Sequence, residues 1–270
     1  LRHDTLETDE DTPPDAARLD ARLAADSAIG HVAVVHCETT SGLLNPIAEV
    51  AAVVARHRRR LIVDSMSAFG GIPLDVRQVP CDAVVASANK CLEGVPGLAF
   101  AIVRRDALAV AAGNARSLAL DLHDQWRAME GNGQWRFTPP TQVLAALDRA
   151  LALLEEEGGV AARHARYAAN CRVLVDGLRG MGFETLLPDT LQAPIIVTAR
   201  MPADPAFRFD AFYDGLRRRG FVIYPGKLTK APSFRIGCIG AVTPADMEDA
   251  VAAIAAVMAD MGVAGGAPSR

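Results

Sequence analysis

The chain has 270 residues, half of them hydrophobic and 22% charged, with a formal net charge of −4. That composition belongs to a folded globular protein, long enough for a core that needs neither disulfides nor a structural metal. A slightly acidic balance gives no electrostatic footprint for nucleic acid, and no apolar run approaches the roughly 18 residues of a membrane span.

The opening Leu1-Arg2-His3-Asp4 does not read as a secretory leader. A chain that opens on Leu1 rather than Met is expected to be part of a longer one. Its five cysteines, at 37, 81, 91, 171 and 238, form no C-x-x-C pair and are odd in number. That pattern predicts a reducing, cytoplasmic setting rather than a disulfide framework.

Residues 1–15 read as a polar connector. Ala16, Leu19 and Leu23 then recur at helical spacing, which predicts a short helix over 15–26. The run from His31 to Cys37 reads as a buried strand, followed by a loop over 38–42. Asn45-Pro46 predicts a helix start, with Asn45 as N-cap and proline in the first turn. That helix is expected to run to the basic stretch Arg56–Arg60. Further apolar strands are predicted at 61–64, 82–86 and 97–103. Strands that are apolar throughout and alternate with amphipathic helices predict a mostly parallel sheet covered on both faces. In such sheets function gathers at the C-terminal ends of the strands.

The second half predicts helices at 141–157 and 160–179, strands near 183–187 and 194–199, and a helix near 208–219. Strands near 221–224 and 233–238 and a last helix from about 244 complete it. The fold class is therefore α/β, with a large part over 1–155 and a small α/β part over 156–270. The tail after Gly262 is expected to be loose.

Several common sites are missing from the sequence. No G-x-G-x-x-G appears, and Gly131-Asn132-Gly133 continues as Gln134-Trp135-Arg136. Gly226-Lys227-Leu228-Thr229 resembles the end of a phosphate loop, but Phe221 stands where that motif needs glycine. There is no G-x-S-x-G elbow, and the histidines have no zinc-ligand spacing.

What remains is a carboxylate and an amine, each at the end of an apolar strand. Asp64 closes Leu61-Ile62-Val63-Asp64, and Lys90 follows Ala86-Ser87-Ala88-Asn89. An ordinary ion pair is one reading of two such residues. The other is a Schiff-base lysine with an aspartate that holds a protonated pyridine nitrogen, the minimum apparatus of pyridoxal-phosphate chemistry.

Five blocks, taken in order, resemble the class V group of fold-type-I aminotransferases. They are His36–Gly42, Val63–Gly71, Ser87–Gly94, Phe221–Thr229 and Phe234–Gly240. The last two lean towards the branch of that family that acts on 2-aminoethylphosphonate and pyruvate. The resemblance spans about residues 15–260. It implies a fold-type-I large domain with a mostly parallel sheet, a small C-terminal domain, pyridoxal 5'-phosphate as cofactor, an amine and a 2-oxo acid as substrates, and a homodimer. It also implies roles. Lys90 would bind the cofactor as a Schiff base and shuttle the proton. Asp64 would pair with the pyridinium nitrogen. Asn89 would contact the cofactor phosphate, and Thr39 would sit near the ring. Thr138 would reach the phosphate in the partner subunit, and Arg235 would grip the substrate carboxylate.

Each residue also has a plain structural reading. Thr39 would cap a turn, Thr138 would cap the 141–157 helix, and Arg235 would pack in its strand. Ser65 and Ser67 read as packing and turn residues, Cys91 as a small buried residue, Lys227 as a solvated loop lysine, and His36 as a satisfied strand residue. Rival functions are another class V transaminase using alanine or serine with glyoxylate or pyruvate, and a catalytically silent fragment or dimerisation module.

The resemblance exposes one departure. Family members carry a further N-terminal segment with a glycine turn and helix N-terminus that cradle the cofactor phosphate. A chain without it is expected to leave apolar sheet and helix faces uncovered and to bind cofactor less tightly than longer members.

Overall fold

The computed structural model describes residues 2–228 and 231–268. Thr229, the last residue of one of the five blocks, lies outside the described residues.

Helix α1 (Ala16–Ala25) starts at Asp15, whose carboxylate accepts from the Ala17 and Arg18 amides. Strand β1 (His31–Val35) is shorter than predicted. The chain turns at His36, and Cys37 makes only a single bridge, to Leu44. Helix α2 (Ile47–Arg56) follows. Asn45 is not its cap. The N-cap is Pro46, with no side-chain bond, while the Asn45 side-chain Nδ2 donates to the Val35 carbonyl at 2.8 Å and ties the loop back to β1. The helix also stops before the basic run ends. Arg58 takes a left-handed φ of 53°, and Arg60 opens strand β2 (Arg60–Asp64).

Strands β3 (Ala83–Ser87) and β4 (Ala99–Val103) complete the first sheet, in the order β1-β2-β3-β4. The first three strands are parallel and β4 is antiparallel to β3, so the sheet is mostly parallel as predicted. One face is covered. Leu61, Val63 and Val84 pack with Leu19 and Leu23 of α1 and with Ile47, Val50, Val53 and Val54 of α2. Each such buried side chain contributes about 1.5–3 kcal/mol of transfer free energy. The opposite face, with Ala33 and Ile62, is open to solvent, and Ile62 is 36% exposed. Coverage on both faces is therefore not found.

Two helices were not anticipated. They are α3 (Arg105–Ala109) and α4 (Leu122–Asn132). Neither buries a residue, and Leu118, Leu120, Leu122, Met129, Trp135 and Phe137 around α4 are exposed. Without a buried stripe there is no apolar periodicity to read.

Helices α5 (Thr141–Glu157) and α6 (Gly159–Gly180) match the predicted spans to within a residue. The N-cap of α5 is Pro140 without a side-chain bond, so Thr138 does not cap it. The second sheet holds β5 (Ile196–Arg200), β6 (Tyr224–Pro225) and β7 (Ser233–Gly237) in the order β5-β7-β6, all antiparallel. The predicted strand at 183–187 reduces to one bridge, Thr185 to Ala199, and that at 221–224 reduces to the two residues of β6. Helices α7 (Phe209–Arg218) and α8 (Pro244–Asp260) pack on this sheet around Phe212, Phe234, Leu216 and Ile254. A Thr243–Asp246 capping box starts α8.

The tail is not loose as far as residue 268. Val263 is buried, Gly266 donates its amide to the Met181 carbonyl at 3.0 Å, and Ala203 donates to the Ala267 carbonyl at 2.8 Å. The small residues there permit close backbone approach. A Cβ on Gly266 would come within 2.6 Å of the Phe183 ring.

Candidate active site

Parallel pairing brings the ends of β1, β2 and β3 to one edge. Val35 is level with Asp64, and Asp64 is level with Val85. Along β2 the side chains alternate. Leu61 and Val63 turn to the helices, so Asp64 falls on the open face and is exposed. Its Oδ1 accepts the Met66 amide at 3.0 Å. Lys90 lies three residues beyond β3 at the same edge, also exposed, next to exposed Asn89.

The loops that leave β2 and β3 are packed directly on each other, which glycine makes possible. A Cβ on Gly71 would meet the Cys91 sulfur at 2.7 Å, and one on Gly70, at φ +87°, would meet Leu92 at 2.6 Å. Cys91 donates its thiol to the Ser67 carbonyl at 3.1 Å, and Ser87 donates its hydroxyl to the Met66 carbonyl at 3.5 Å. The segment after the carboxylate and the segment around the amine thus form one packed unit. Among the described residues no ion pair joins Asp64 to Lys90, and the Lys90 ammonium group has no hydrogen-bonding partner. The plain ion-pair reading does not describe this structure.

Arg235 comes from the second sheet. In β7 it lies between Thr198 of β5 and Tyr224 of β6. It is buried, and Nη1 donates to the Thr39 carbonyl at 2.7 Å while Nε donates to the Pro225 carbonyl at 3.1 Å. Burial lowers its pKa below the usual guanidinium value, but an arginine stays charged in a protein. No carboxylate pairs with it among the described residues. Thr39 lies in the turn closed by Gly42 N–H to the Glu38 carbonyl at 2.7 Å, three residues past His36, whose amide donates to the Asp64 carbonyl. Thr39, Asp64, Lys90 and Arg235 are therefore brought to one edge by two sheets. Thr138 is not drawn in. It is exposed on the stretch before α5 and makes no hydrogen bond to the others.

The remaining residues behave as packing groups. His36 is buried, with Nδ1 3.0 Å from the hydroxyl of fully buried Ser65, and burial lowers its pKa to about 4. Ser67 accepts the Cys91 thiol on its carbonyl, within the packed loops. Cys91 is buried, and desolvation pushes its thiol up to about 12. Lys227 is exposed.

The sequence reading missed Glu93, Glu157, Arg163, Arg166 and Tyr167. Glu93 accepts from Arg166 Nη2 at 2.9 Å and from the Tyr167 hydroxyl at 2.5 Å. The available signal was Arg163, which shares a helical stripe with Tyr167, Cys171, Leu174 and Leu178. An arginine on an otherwise buried stripe needs carboxylates or carbonyls facing it.

The donor set suits pyridoxal phosphate. A primary amine without a partner can form a Schiff base, a carboxylate with a free oxygen can hold a ring N–H, and an unpaired guanidinium can take a carboxylate. Asp121, His123 and Asp124 could converge on a metal ion, with ligand atoms within 4.8 Å. All three are otherwise engaged. Asp121 caps α4, and Asp124 pairs with His123 and Arg136.

A sequence model of the aminotransferase class-V family matches residues 3–202. A curated relative from Pseudomonas fluorescens (strain Pf0-1), named 2-aminoethylphosphonate–pyruvate transaminase, is 54% identical over 259 residues, covering 96% of this chain and 70% of its own. A relative of the same name from Pseudomonas aeruginosa is 54% identical over 259 residues, with the same coverage. Among solved structures, pyridoxamine–pyruvate aminotransferase from Mesorhizobium loti superposes with a TM-score of 0.83 at 30% identity, covering 92% of this chain and 64% of that one. Ureidoglycine–glyoxylate aminotransferase from Bacillus subtilis gives a TM-score of 0.84 at 24% identity, covering 95% and 67%, and speaks to the fold alone.

Proposed function

The chain belongs to the class V aminotransferases, and on that premise we propose that it serves an enzyme moving the amino group of 2-aminoethylphosphonate to pyruvate, giving phosphonoacetaldehyde and L-alanine. The observation that carries this reading is the partnerless Lys90 amine beyond β3, at the same sheet edge as the Asp64 carboxylate that ends β2. The 54% identity to relatives named for that reaction supports the substrate pair over alanine or serine with glyoxylate.

Bound pyridoxal phosphate would supply an aldehyde for amine exchange and a ring that accepts the electron pair left at the substrate carbon. This chain's residues do the rest. The Lys90 Nζ is free to take a proton from that carbon and to return it to a neighbouring atom. The free Asp64 oxygen holds the proton on the ring nitrogen. Arg235 binds the carboxylate of pyruvate and alanine through the guanidinium edge that Thr39 and Pro225 leave open. Asn89, Thr39 and Thr138 are assigned to cofactor contacts, Thr138 across a dimer interface.

A homodimer is part of the proposal, and the exposed apolar residues around α4 support it. The division into a cofactor-binding part over 1–155 and a small part over 156–270 is supported by the two separate sheets. A reducing cytoplasm is supported by five free, buried cysteines. Among the described residues no helix is long and apolar enough to cross a membrane.

The test is an absorption spectrum with added pyridoxal phosphate, before and after Lys90→Ala. The reading expects a visible band that the substitution abolishes, and turnover on 2-aminoethylphosphonate with pyruvate above alanine or serine with glyoxylate. A band that survives Lys90→Ala, or no band at all, would refute the assignment of Lys90 in this chain.

A further inference from the structure

The loop that carries Lys90 is held from outside its own sheet. Glu93, three residues on, adopts a left-handed φ of 61°, one of two non-glycine residues with positive φ among those described. Its amide donates to the Lys90 carbonyl at 2.9 Å, which closes a turn on the lysine itself. The Glu93 carboxylate points to α6. There it meets Arg166 Nη2 at 2.9 Å, the Tyr167 hydroxyl at 2.5 Å and Arg163 Nη2 at 3.7 Å. Arg163 in turn donates Nη1 to the Cys91 carbonyl at 2.8 Å, beside the lysine. Glu157 at the end of α5 accepts from both arginines and balances the second positive charge.

The same α6 side chains reach the segment that leaves β7. Arg166 Nη1 donates to the Gly240 carbonyl at 2.5 Å and to the Val242 carbonyl at 3.0 Å. The Gly240 amide donates to the Tyr167 hydroxyl at 3.3 Å. Asn170 donates to the Cys238 and Val242 carbonyls at 3.1 and 3.0 Å. Cys238 is three residues past Arg235. One buried to half-buried set of side chains therefore grips the lysine loop with one hand and the continuation of the arginine strand with the other. Two guanidinium groups and two carboxylates leave the network neutral, so no member can be lost without uncompensated charge in a half-buried place.

We propose that Glu93 is a positioning residue. Through Arg166 and Tyr167 it fixes the Lys90 loop relative to the segment following Arg235, so that the amine and the substrate-binding guanidinium keep one spacing. The inference rests on the aminotransferase reading for the purpose of that spacing. The mechanical link itself stands on the contacts. Holding reacting groups in register is where much of an enzyme's rate is won, and displacements of about 1 Å suffice to lose it. The left-handed backbone at Glu93 fits this view, because such a conformation persists only where surrounding contacts impose it.

The experiment compares the unaltered chain with Glu93→Gln and Tyr167→Phe in two measurements. One is amide hydrogen exchange over residues 88–94 and 238–242. The other is the rate at which Lys90 is labelled by pyridoxal phosphate and fixed by borohydride, read by mass spectrometry. For Glu93→Gln, exchange is expected to rise about tenfold or more in both segments together while the amides of β1 and α8 stay unchanged. Labelling of Lys90 is expected to slow about fivefold or more. Tyr167→Phe, which removes only the hydroxyl shared by Glu93 and Gly240, is expected to move both readouts in the same direction by less. Exchange that rises in 88–94 alone, or labelling that does not change in either variant, would overturn the proposal. If Glu93→Gln fails to fold, Tyr167→Phe decides alone, and unchanged exchange at 238–242 overturns it. If the unaltered chain is not labelled at Lys90, the aminotransferase reading of this chain fails, while the exchange comparison still decides whether the two segments are linked.

Discussion

Arg235 donates to the Thr39 carbonyl at 2.7 Å across 196 positions of chain. The bond joins the middle strand of the antiparallel sheet to the loop after the first strand of the parallel one. Neighbouring contacts reinforce it. Thr198 donates its hydroxyl to the Thr40 carbonyl at 3.1 Å, and Leu43 bridges to Gln192. A buried cation held by two carbonyls has its geometry fixed before any anion arrives, and burial leaves it short of a countercharge.

Arg235→Lys therefore removes more than it keeps. An ammonium group retains the charge but not the fork that reaches Thr39, Pro225 and a third acceptor at once. The KM for the 2-oxo acid is expected to rise about tenfold or more, with kcat lowered less. Steady-state kinetics over a pyruvate series checks this, and an unchanged KM would return Arg235 to a packing role.

Gly71→Ala probes the contact between the two site loops. The added Cβ has the Cys91 sulfur at 2.7 Å, the Cys91 Cβ at 2.8 Å and the Tyr167 ring at 3.0 Å, all in the core. The expected cost is about 1–3 kcal/mol of stability, read from urea unfolding. Gly180→Ala is the control. Nothing lies within 4 Å of its Cβ position, so it is expected to be neutral or to stabilise.

His36 gives the fold a pH dependence of definite sign. Its pKa is lowered to about 4 from 6.5 by burial, so between those values the unfolded chain binds a proton that the folded chain refuses. The stability contribution is complete above about pH 6.5 and is lost as pH falls towards 4. Between pH 7.5 and 5 the loss is expected to be about 2 kcal/mol. Urea unfolding at the two pH values, with His36→Gln expected to flatten the difference, measures it. An equally steep loss in the variant would assign the effect to other groups.

Asp64 and Lys90 stand out in the sequence because each closely follows an apolar run; the structure puts Asp64 at the end of β2 and Lys90 three residues beyond β3, at the edge where a parallel sheet exposes chemistry. The long helices were legible for a similar local reason, since α5 and α6 keep their spacing for many turns. The missed features are non-local. Asn45 has the chemistry of a cap, but its side chain is turned back to β1, where Nδ2 donates to the Val35 carbonyl, and its Oδ1 accepts no amide of α2. That partner lies ten residues back in a different element, outside the capping motif itself. The 183–187 segment has strand propensity, yet it has only Ala199 to pair with. Nothing local in the sequence marks Glu93. Its partners lie about 70 residues away on α6, and only the packed structure brings them to it. Thr138 is exposed and makes no hydrogen bond among the described residues, and the role that the resemblance gives it lies across a subunit interface.

The reversed direction of β4 has a consequence for the lysine. Because β4 runs against β3, residues 88–98 form a hairpin connection rather than a crossover. Ser87 pairs with Ala99, and the Ala88 amide donates to the Leu98 carbonyl at 3.1 Å, so the loop is fastened at its neck. A loop tied at one rung has few ways to wander, and closing it costs little because it is short. The conformational order at the neck of the amine's loop is thus laid down when the sheet zips up, and the α6 contacts complete it within the fold. It does not have to be recruited when a ligand lands.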